Sequence, residues 1–73
     1  MKTKEADIMQ KWSSIVGESI AEKSKPIKIN EKKLYLKVES ALWRNELLFQ
    51  KEKIMDEIEK KAGERLINDI VFL

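Results

Sequence analysis

The stretch PIKINEKKLYLKV, residues 26–38, decides the fold of this chain. In its second half, Leu34, Leu36 and Val38 occupy every other position, a period of two that is typical of a strand with one inward and one outward side. In its first half, two isoleucines flank a lysine in the same alternation, and the polar residues 30–32 follow as a turn. The stretch therefore predicts a hairpin of two strands.

A helix is predicted before the hairpin, from about Lys4 to Glu22. Its apolar residues fall on one stripe at helical spacing, and they are Ile8, Trp12, Ile15, Val16 and Ile20. Thr3 is a candidate N-cap, and Pro26 prevents the helix from continuing. Gly17 weakens a helix interior by about 1 kcal/mol, so we expect another element to approach closely there.

A second helix is predicted after the hairpin, with Ser40 as its cap and Gly63 as the residue that stops it. Its core stripe comprises Trp43, Leu47, Ile54, Ile58 and Ala62, with Leu48 and Met55 on the flank. From Leu66 to Leu73 the chain is rich in branched apolar residues, which predicts a third strand with Ile70 and Phe72 turned inward.

These elements predict an α+β fold in the order α-β-β-α-β. Three strands alone would leave one sheet face uncovered, so the simplest burial packs both helices on one face of a three-stranded sheet. The 73 residues are enough for one small domain, and we expect a single domain over residues 1–73.

The composition argues against most enzymes. The chain has no Cys and no His, which removes thiol nucleophiles, cysteine zinc sites and the commonest general base. With only two glycines it has no Gly-rich phosphate loop, so we expect neither an enzyme nor a bound metal or cofactor. No apolar run approaches the roughly 18 residues of a membrane span, and a cytoplasmic protein without membrane contact is expected.

The charges are unevenly distributed along the chain. Residues 1–37 hold nine lysines against five acids, whereas residues 38–73 hold six bases against eight acids. On the predicted hairpin, Lys28, Lys33, Tyr35 and Lys37 share the outward face, with Lys23, Lys25 and Lys32 at its margins. A basic surface with an exposed ring suits the phosphates and unpaired bases of a nucleic acid. The alternative is an ordinary solvated surface of lysines and a strand tyrosine.

A second candidate surface lies on the predicted second helix, opposite its core stripe. Leu42 and Phe49 are seven residues apart there and therefore close in space. Exposed apolar clusters tend to mark protein contacts, so these residues are candidates for binding a partner or a second copy of the chain. Scattered surface apolar residues are the ordinary alternative.

Several residues together resemble a known family. Trp12, the pair Val16-Gly17 and the helix end near Pro26 are followed by Leu34, Leu36 and Val38, then by Ser40, Trp43, Glu46 and Leu47, and finally by Gly63, Ile70 and Phe72. In this combination the chain resembles the DciA family of bacterial helicase loaders, from about Ile8 to Phe72. The resemblance implies a fold similar to a KH domain, with the order α-β-β-α-β.

The resemblance also implies a function. It indicates a non-enzymatic accessory of DNA replication that contacts the DnaB-type replicative helicase and single-stranded DNA. True KH domains clamp a nucleic acid with a Gly-x-x-Gly loop, which this sequence lacks, so the sheet lysines are the candidate surface instead. Two alternatives stay open: a protein-only adaptor or homodimer that uses Leu42 and Phe49, and an RNA-binding KH-like module.

Overall fold

The computed structural model describes residues 4–73 and has an α+β fold with a three-stranded mixed sheet. Its elements in chain order are α1 (Lys4–Gln10), α2 (Trp12–Val16), α3 (Glu18–Lys23), β1 (Lys25–Asn30), β2 (Lys33–Lys37), α4 (Ala41–Phe49), α5 (Lys51–Ala62) and β3 (Asp69–Phe72). The expected α+β class with a three-stranded sheet is confirmed. The candidate N-cap Thr3 lies outside the described residues.

The first predicted helix is divided, because breaks at Lys11 and Gly17 separate α1, α2 and α3. Gly17 has φ 92° and ψ 157°, a backbone conformation that side chains disfavour. No atom lies within 4 Å of the position that a Cβ would occupy at Gly17. The expected close approach of another element is therefore wrong, and the glycine serves the sharp change of direction between α2 and α3.

The second predicted helix is also divided, at Gln50, so the expectation of one continuous helix is wrong. Both of its predicted ends are confirmed. The Oγ of Ser40 accepts a hydrogen bond from the backbone N–H of Trp43 at 3.3 Å, as an N-cap does. Gly63 ends α5 in the left-handed conformation, and its N–H donates to the carbonyl of Glu59 at 2.8 Å.

The sheet has the strand order β1-β2-β3, with β1 antiparallel and β3 parallel to β2. Leu34 pairs with Ile70 and Leu36 with Phe72, which places these residues on the inward face. A bulge between Pro26 and Lys28 interrupts the alternation of β1. Ile27, which the alternation places beside Ile29, is therefore 41% exposed and outside the core.

The hairpin turn holds two residues in the left-handed region, Glu31 with φ 51° and Lys32 with φ 61°. Two consecutive positive φ values are the geometry of a type I′ turn, whose twist matches that of the flanking strands. Asn-Gly is the usual pair at these positions, since the left-handed region costs other residues roughly 1–2 kcal/mol each. This turn therefore carries backbone strain at the tip of the sheet.

One hydrophobic core joins the helices to the inward face of the sheet. Its buried members are Ile8, Trp12, Ile15, Leu34, Leu36, Val38, Leu47, Ile54, Met55, Ile58, Ile67 and Ile70, with Trp43 and Phe72 packed against them. Trp12 and Ser24 are tied within it by a hydrogen bond from the indole Nε1–H to Oγ, at 3.0 Å. No helix of residues 4–73 combines the length and apolar character needed to cross a membrane.

Leu48 departs from its expected place on the flank of the core stripe, because 51% of it is exposed. The short helix α4 buries only Leu47. Leu48 lies about 100° further around the helix axis, which turns it away from the core. Met55, expected on the same flank, is buried as predicted. The break at Gln50 thus leaves α4 with a wider exposed apolar side than the sequence indicated.

Candidate nucleic-acid interface

The outer face of the sheet gathers most of the residues predicted to bind nucleic acid. Leu34 and Leu36 turn inward, so Tyr35 between them points to the opposite side. Directly paired residues on neighbouring antiparallel strands share a face. The outer face therefore holds three pairs, which are Lys25–Lys37, Lys28–Tyr35 and Asn30–Lys33. We call Lys28, Lys33, Tyr35 and Lys37 the outer basic face, and Lys25 lies at its margin beside Lys37.

The lysines of the candidate site are exposed and are not used in ion pairs. Within residues 4–73 the ion pairs are Lys4–Glu64, Lys51–Asp69, Lys60–Glu57 and Arg65–Glu59. None of these involves the six predicted site lysines, Lys23, Lys25, Lys28, Lys32, Lys33 and Lys37. Their ammonium groups can therefore meet an anionic ligand without first breaking an ion pair.

Lys28 and Tyr35 are in contact across the two strands. The Lys28 Nζ lies 5.0 Å from the centroid of the Tyr35 ring, within the range of a cation–π interaction. Tyr35 is only partly buried, so its ring lies on the outer surface of the sheet and is not a member of the core. The aromatic group and the central cation of the outer basic face thus form one unit.

The carboxylate of Asp69 borders this face where β3 pairs with β2. Asp69 is the register partner of Lys33, yet its Oδ1 binds Lys51 Nζ at 2.5 Å and accepts the N–H of Ile70 at 2.8 Å. The hydrogen bond from Lys51, followed by that from Ile70, holds the pKa of Asp69 below its ordinary value. The aspartate therefore pairs with Lys51, and Lys33 has no ion pair within the part of the chain that the structure describes.

The two margin lysines on either side of β1 lie at opposite ends of the face. Lys23 ends α3 just before β1, whereas Lys32 occupies the strained hairpin tip. Glu64 lies close enough to the tip for the charge of Lys32 to affect the pKa of its carboxyl group. Its hydrogen bond from Lys4 holds the pKa of Glu64 below the ordinary value, and the charge of Lys32 adds a smaller effect in the same direction.

An open cleft of about 750 Å³ lies at the end of the sheet where β1 begins and β2 ends. Lys23, Lys25 and Lys37 line it together with two acids, Glu22 and Glu39. The remaining lining residues are Gln10, Trp12, Ser13, Ala21, Ser24, Pro26 and Ser40. Sequence reasoning missed this cleft, because its walls come from separate helices and strands and no short motif connects them.

The predicted apolar patch on α4 is exposed. Leu42 is 77% and Phe49 84% exposed, and Leu48 adds to the same helix an apolar side chain that the sequence pattern had assigned to the core flank. Arg44 holds α4 against the end of β2 by donating from Nη2 to the carbonyl of Val38, at 2.9 Å. The helix therefore presents its apolar side chains from a fixed position.

Comparison with protein families matches the chain to the family described as "Dna[CI] antecedent, DciA", over residues 2–72. The chain belongs to the DciA family. The resemblance drawn from the sequence is thus confirmed over nearly the whole chain. No curated protein matches the chain.

Membership of the DciA family links the chain to loading of the replicative helicase DnaB and to DNA replication. The family is of the helicase-loader type. This membership makes the outer basic face and the apolar side of α4 candidate surfaces for contact with DNA and with the helicase. The particular roles of their residues stay predictions.

Proposed function

We propose that this DciA-family chain is a single-domain, KH-like accessory of DNA replication that binds single-stranded DNA through the outer basic face and acts with the DnaB-type helicase. The observation that carries this proposal is the grouping of Lys28, Lys33, Tyr35 and Lys37 on one sheet face, with no ion pair to their lysines within residues 4–73.

The spacing on β2 supports a strand-like ligand. Lys33, Tyr35 and Lys37 stand at every second residue, about 7 Å apart, with Lys28 beside the central ring. An extended single strand offers phosphates in a comparable repeat and unpaired bases that stack on an aromatic ring. With three or four phosphate contacts, affinity should fall with salt at a log–log slope of about −2 to −3.

A titration with fluorescent single-stranded DNA at several salt concentrations tests this proposal. We expect the variant with Lys28, Lys33 and Lys37 all changed to Glu to lose binding. A control with Lys53, Lys60 and Lys61 changed to Glu alters the net charge equally on α5 and should retain most of the affinity. Absence of binding by the unaltered chain at low salt would overturn the proposal, as would equal losses in both variants.

Single-stranded RNA is the competing ligand of a KH-like module. The outer basic face has no group that obviously selects a 2′-hydroxyl, because its members are lysines and one tyrosine. The role in DNA replication favours DNA. Competition between DNA and RNA of equal sequence separates the two, and a clear preference for RNA would contradict the DNA assignment.

A second contact is proposed for the apolar side of α4, where Leu42 and Phe49 are the most exposed large apolar residues of the described chain. We propose that this side docks on the replicative helicase, since the family works with that partner. A second copy of the chain is the competing occupant. Either occupant would remove two large apolar side chains from water.

Substitution of Phe49 tests the docking proposal. Phe49→Asp should abolish capture of the helicase while leaving DNA binding intact. Ile27→Asp, at an exposed apolar residue on the β1 bulge, is the matched control and should leave capture unchanged. An unaltered helicase complex with Phe49→Asp, or a concentration-dependent dimer that only this substitution abolishes, would contradict docking on the helicase.

A further inference from the structure

We propose that the cleft at the end of the sheet receives one unpaired nucleotide of the strand that the outer basic face binds. This inference rests on the proposed function and extends it to a second, separate subsite. The subsite consists of Lys23, Lys25 and Lys37 with the acids and hydroxyls around them. It lies at the opposite end of β1 from the hairpin tip.

The placement of the lysines around the cleft favours a phosphate-bearing ligand. Lys25 and Lys37 are direct register partners, and like charges directly opposite each other on neighbouring strands are unfavourable. Lys23, from the end of α3, lines the same cleft. Glu22 and Glu39 line the same cleft, which leaves it a net charge of +1, and no ion pair within residues 4–73 joins either acid to these lysines. A phosphate held among the three ammonium groups would offset this net charge.

The mixed chemistry of the cleft lining favours a nucleotide over a simple anion. Glu22 and Glu39 supply carboxylate acceptors, which suit the exocyclic amino group of a base such as cytosine but not a bare phosphate or an acidic peptide. Ser40 accepts from the N–H of Trp43, so its own O–H can donate into the cleft. Pro26 and an edge of Trp12 add apolar surface. Cations, acceptors and apolar surface together match a nucleotide.

The cleft is continuous with the outer basic face. Lys37 belongs both to that face and to the cleft, so a strand that follows β2 from Lys33 past Tyr35 arrives at the cleft mouth. The distance along β2 from Lys33 to Lys37 is about 13 Å. A strand of about four nucleotides covers the face alone, and a longer one reaches the cleft as well.

A length series tests the subsite. Oligonucleotides of about four and about eight nucleotides, ending in cytosine or thymine, are titrated against the unaltered chain and two variants. Lys23→Gln with Lys25→Gln removes two cations from the cleft, and Lys28→Gln with Lys33→Gln removes two from the outer basic face. All four lysines are exposed, so both variants should keep the circular dichroism spectrum of the unaltered chain.

We expect the cleft variant to bind the short strand as the unaltered chain does, but to lose the extra affinity for the long strand. Its salt slope for the long strand should be smaller in magnitude by about 0.7, corresponding to loss of the one phosphate held in the cleft. The face variant should weaken binding of both lengths. Glu39→Gln should reduce the preference for a terminal cytosine over thymine.

The possible failures are distinguishable. If the unaltered chain binds neither length, the proposed function fails and the subsite with it. If the unaltered chain binds both lengths, and the cleft variant keeps both the extra affinity and the salt slope that the unaltered chain shows for the long strand, only the nucleotide subsite is overturned. If the cleft variant weakens the short and long strands equally, Lys23 and Lys25 act as part of the outer basic face, which also overturns a separate subsite.

Discussion

Lys28 and Tyr35 face each other across the β1–β2 pair, with the ammonium nitrogen 5.0 Å from the centre of the ring. In the unbound chain the lysine therefore partly covers the group that would stack on a base. In the proposed binding mode, a base that stacks on this ring would displace the ammonium, and the freed charge could then contact a phosphate. Stacking and charge contact would thereby be coupled at one point of the surface.

The first prediction concerns the ring of Tyr35. Tyr35→Leu should weaken binding of single-stranded DNA by about 1–3 kcal/mol, roughly 5- to 150-fold, because stacking on the ring is lost. Tyr35→Phe keeps the aromatic surface and should bind within a few-fold of the unaltered chain. Fluorescence anisotropy at fixed salt measures both. Equal affinities for the Leu and Phe variants would show that the ring does not stack on a base.

The second prediction concerns the strained turn. Glu31→Asn combined with Lys32→Gly supplies the residues that a type I′ turn prefers and should raise the free energy of unfolding by about 1 kcal/mol or more. Urea denaturation measures the change. Asp56→Gly, at an exposed position in the middle of helix α5, should instead lower stability, since glycine disfavours a helix interior. A loss of stability in the turn variant would argue against the left-handed turn.

The third prediction concerns the buried hydrogen bond between Trp12 and Ser24. Ser24 Oγ accepts from the Trp12 indole and donates to the carbonyl of Ile20 at 2.7 Å, so Ser24→Ala leaves the indole N–H without its partner. The expected loss is about 1–3 kcal/mol in the free energy of unfolding. Ser14→Ala, which removes an exposed hydrogen bond to the carbonyl of Lys11, should cost less. Equal losses would count against the buried bond.

The fourth prediction concerns pH and Asp69. Its pKa is lowered in the folded chain, so its contribution to stability is present above the ordinary pKa of an unfolded aspartate and is lost as the pH falls through the lower folded value. Lys51→Gln should raise the pKa of Asp69 toward its ordinary value. NMR titration of the Asp69 carboxyl measures this shift. An unchanged pKa in the variant would show that Lys51 does not stabilise the carboxylate in solution.

Periodicity and caps were sufficient to predict the layers of the fold. The alternation of Leu34 and Leu36 gave the inward face of β2, and Ser40 and Gly63 marked the limits of the second helical region. These signals are local, because a strand or cap is defined by residues within a few positions of one another. The placement of Lys28 and Tyr35 on the same outward face followed from the same alternation, whereas their direct pairing depends on the strand register.

The departures arise where tertiary packing overrides the local pattern. The bulge that exposes Ile27 depends on how β1 pairs with β2, and the break at Gln50 that exposes Leu48 depends on how α4 and α5 pack. Gly17 was recognised as unusual, but its positive φ could not be distinguished from a close contact by residue type alone. The cleft likewise depends on tertiary arrangement, since α3, β1 and β2 each contribute a lysine.

The most direct test of the proposed role is the mass of the complexes formed with the replicative helicase of the same organism. The purified chain is mixed with that helicase, with and without single-stranded DNA, and the masses are measured by light scattering. We predict a complex of chain and helicase that also retains the DNA, and Phe49→Asp should remove the chain from the helicase. Unchanged masses of helicase and of DNA in the presence of the chain would contradict the proposed role.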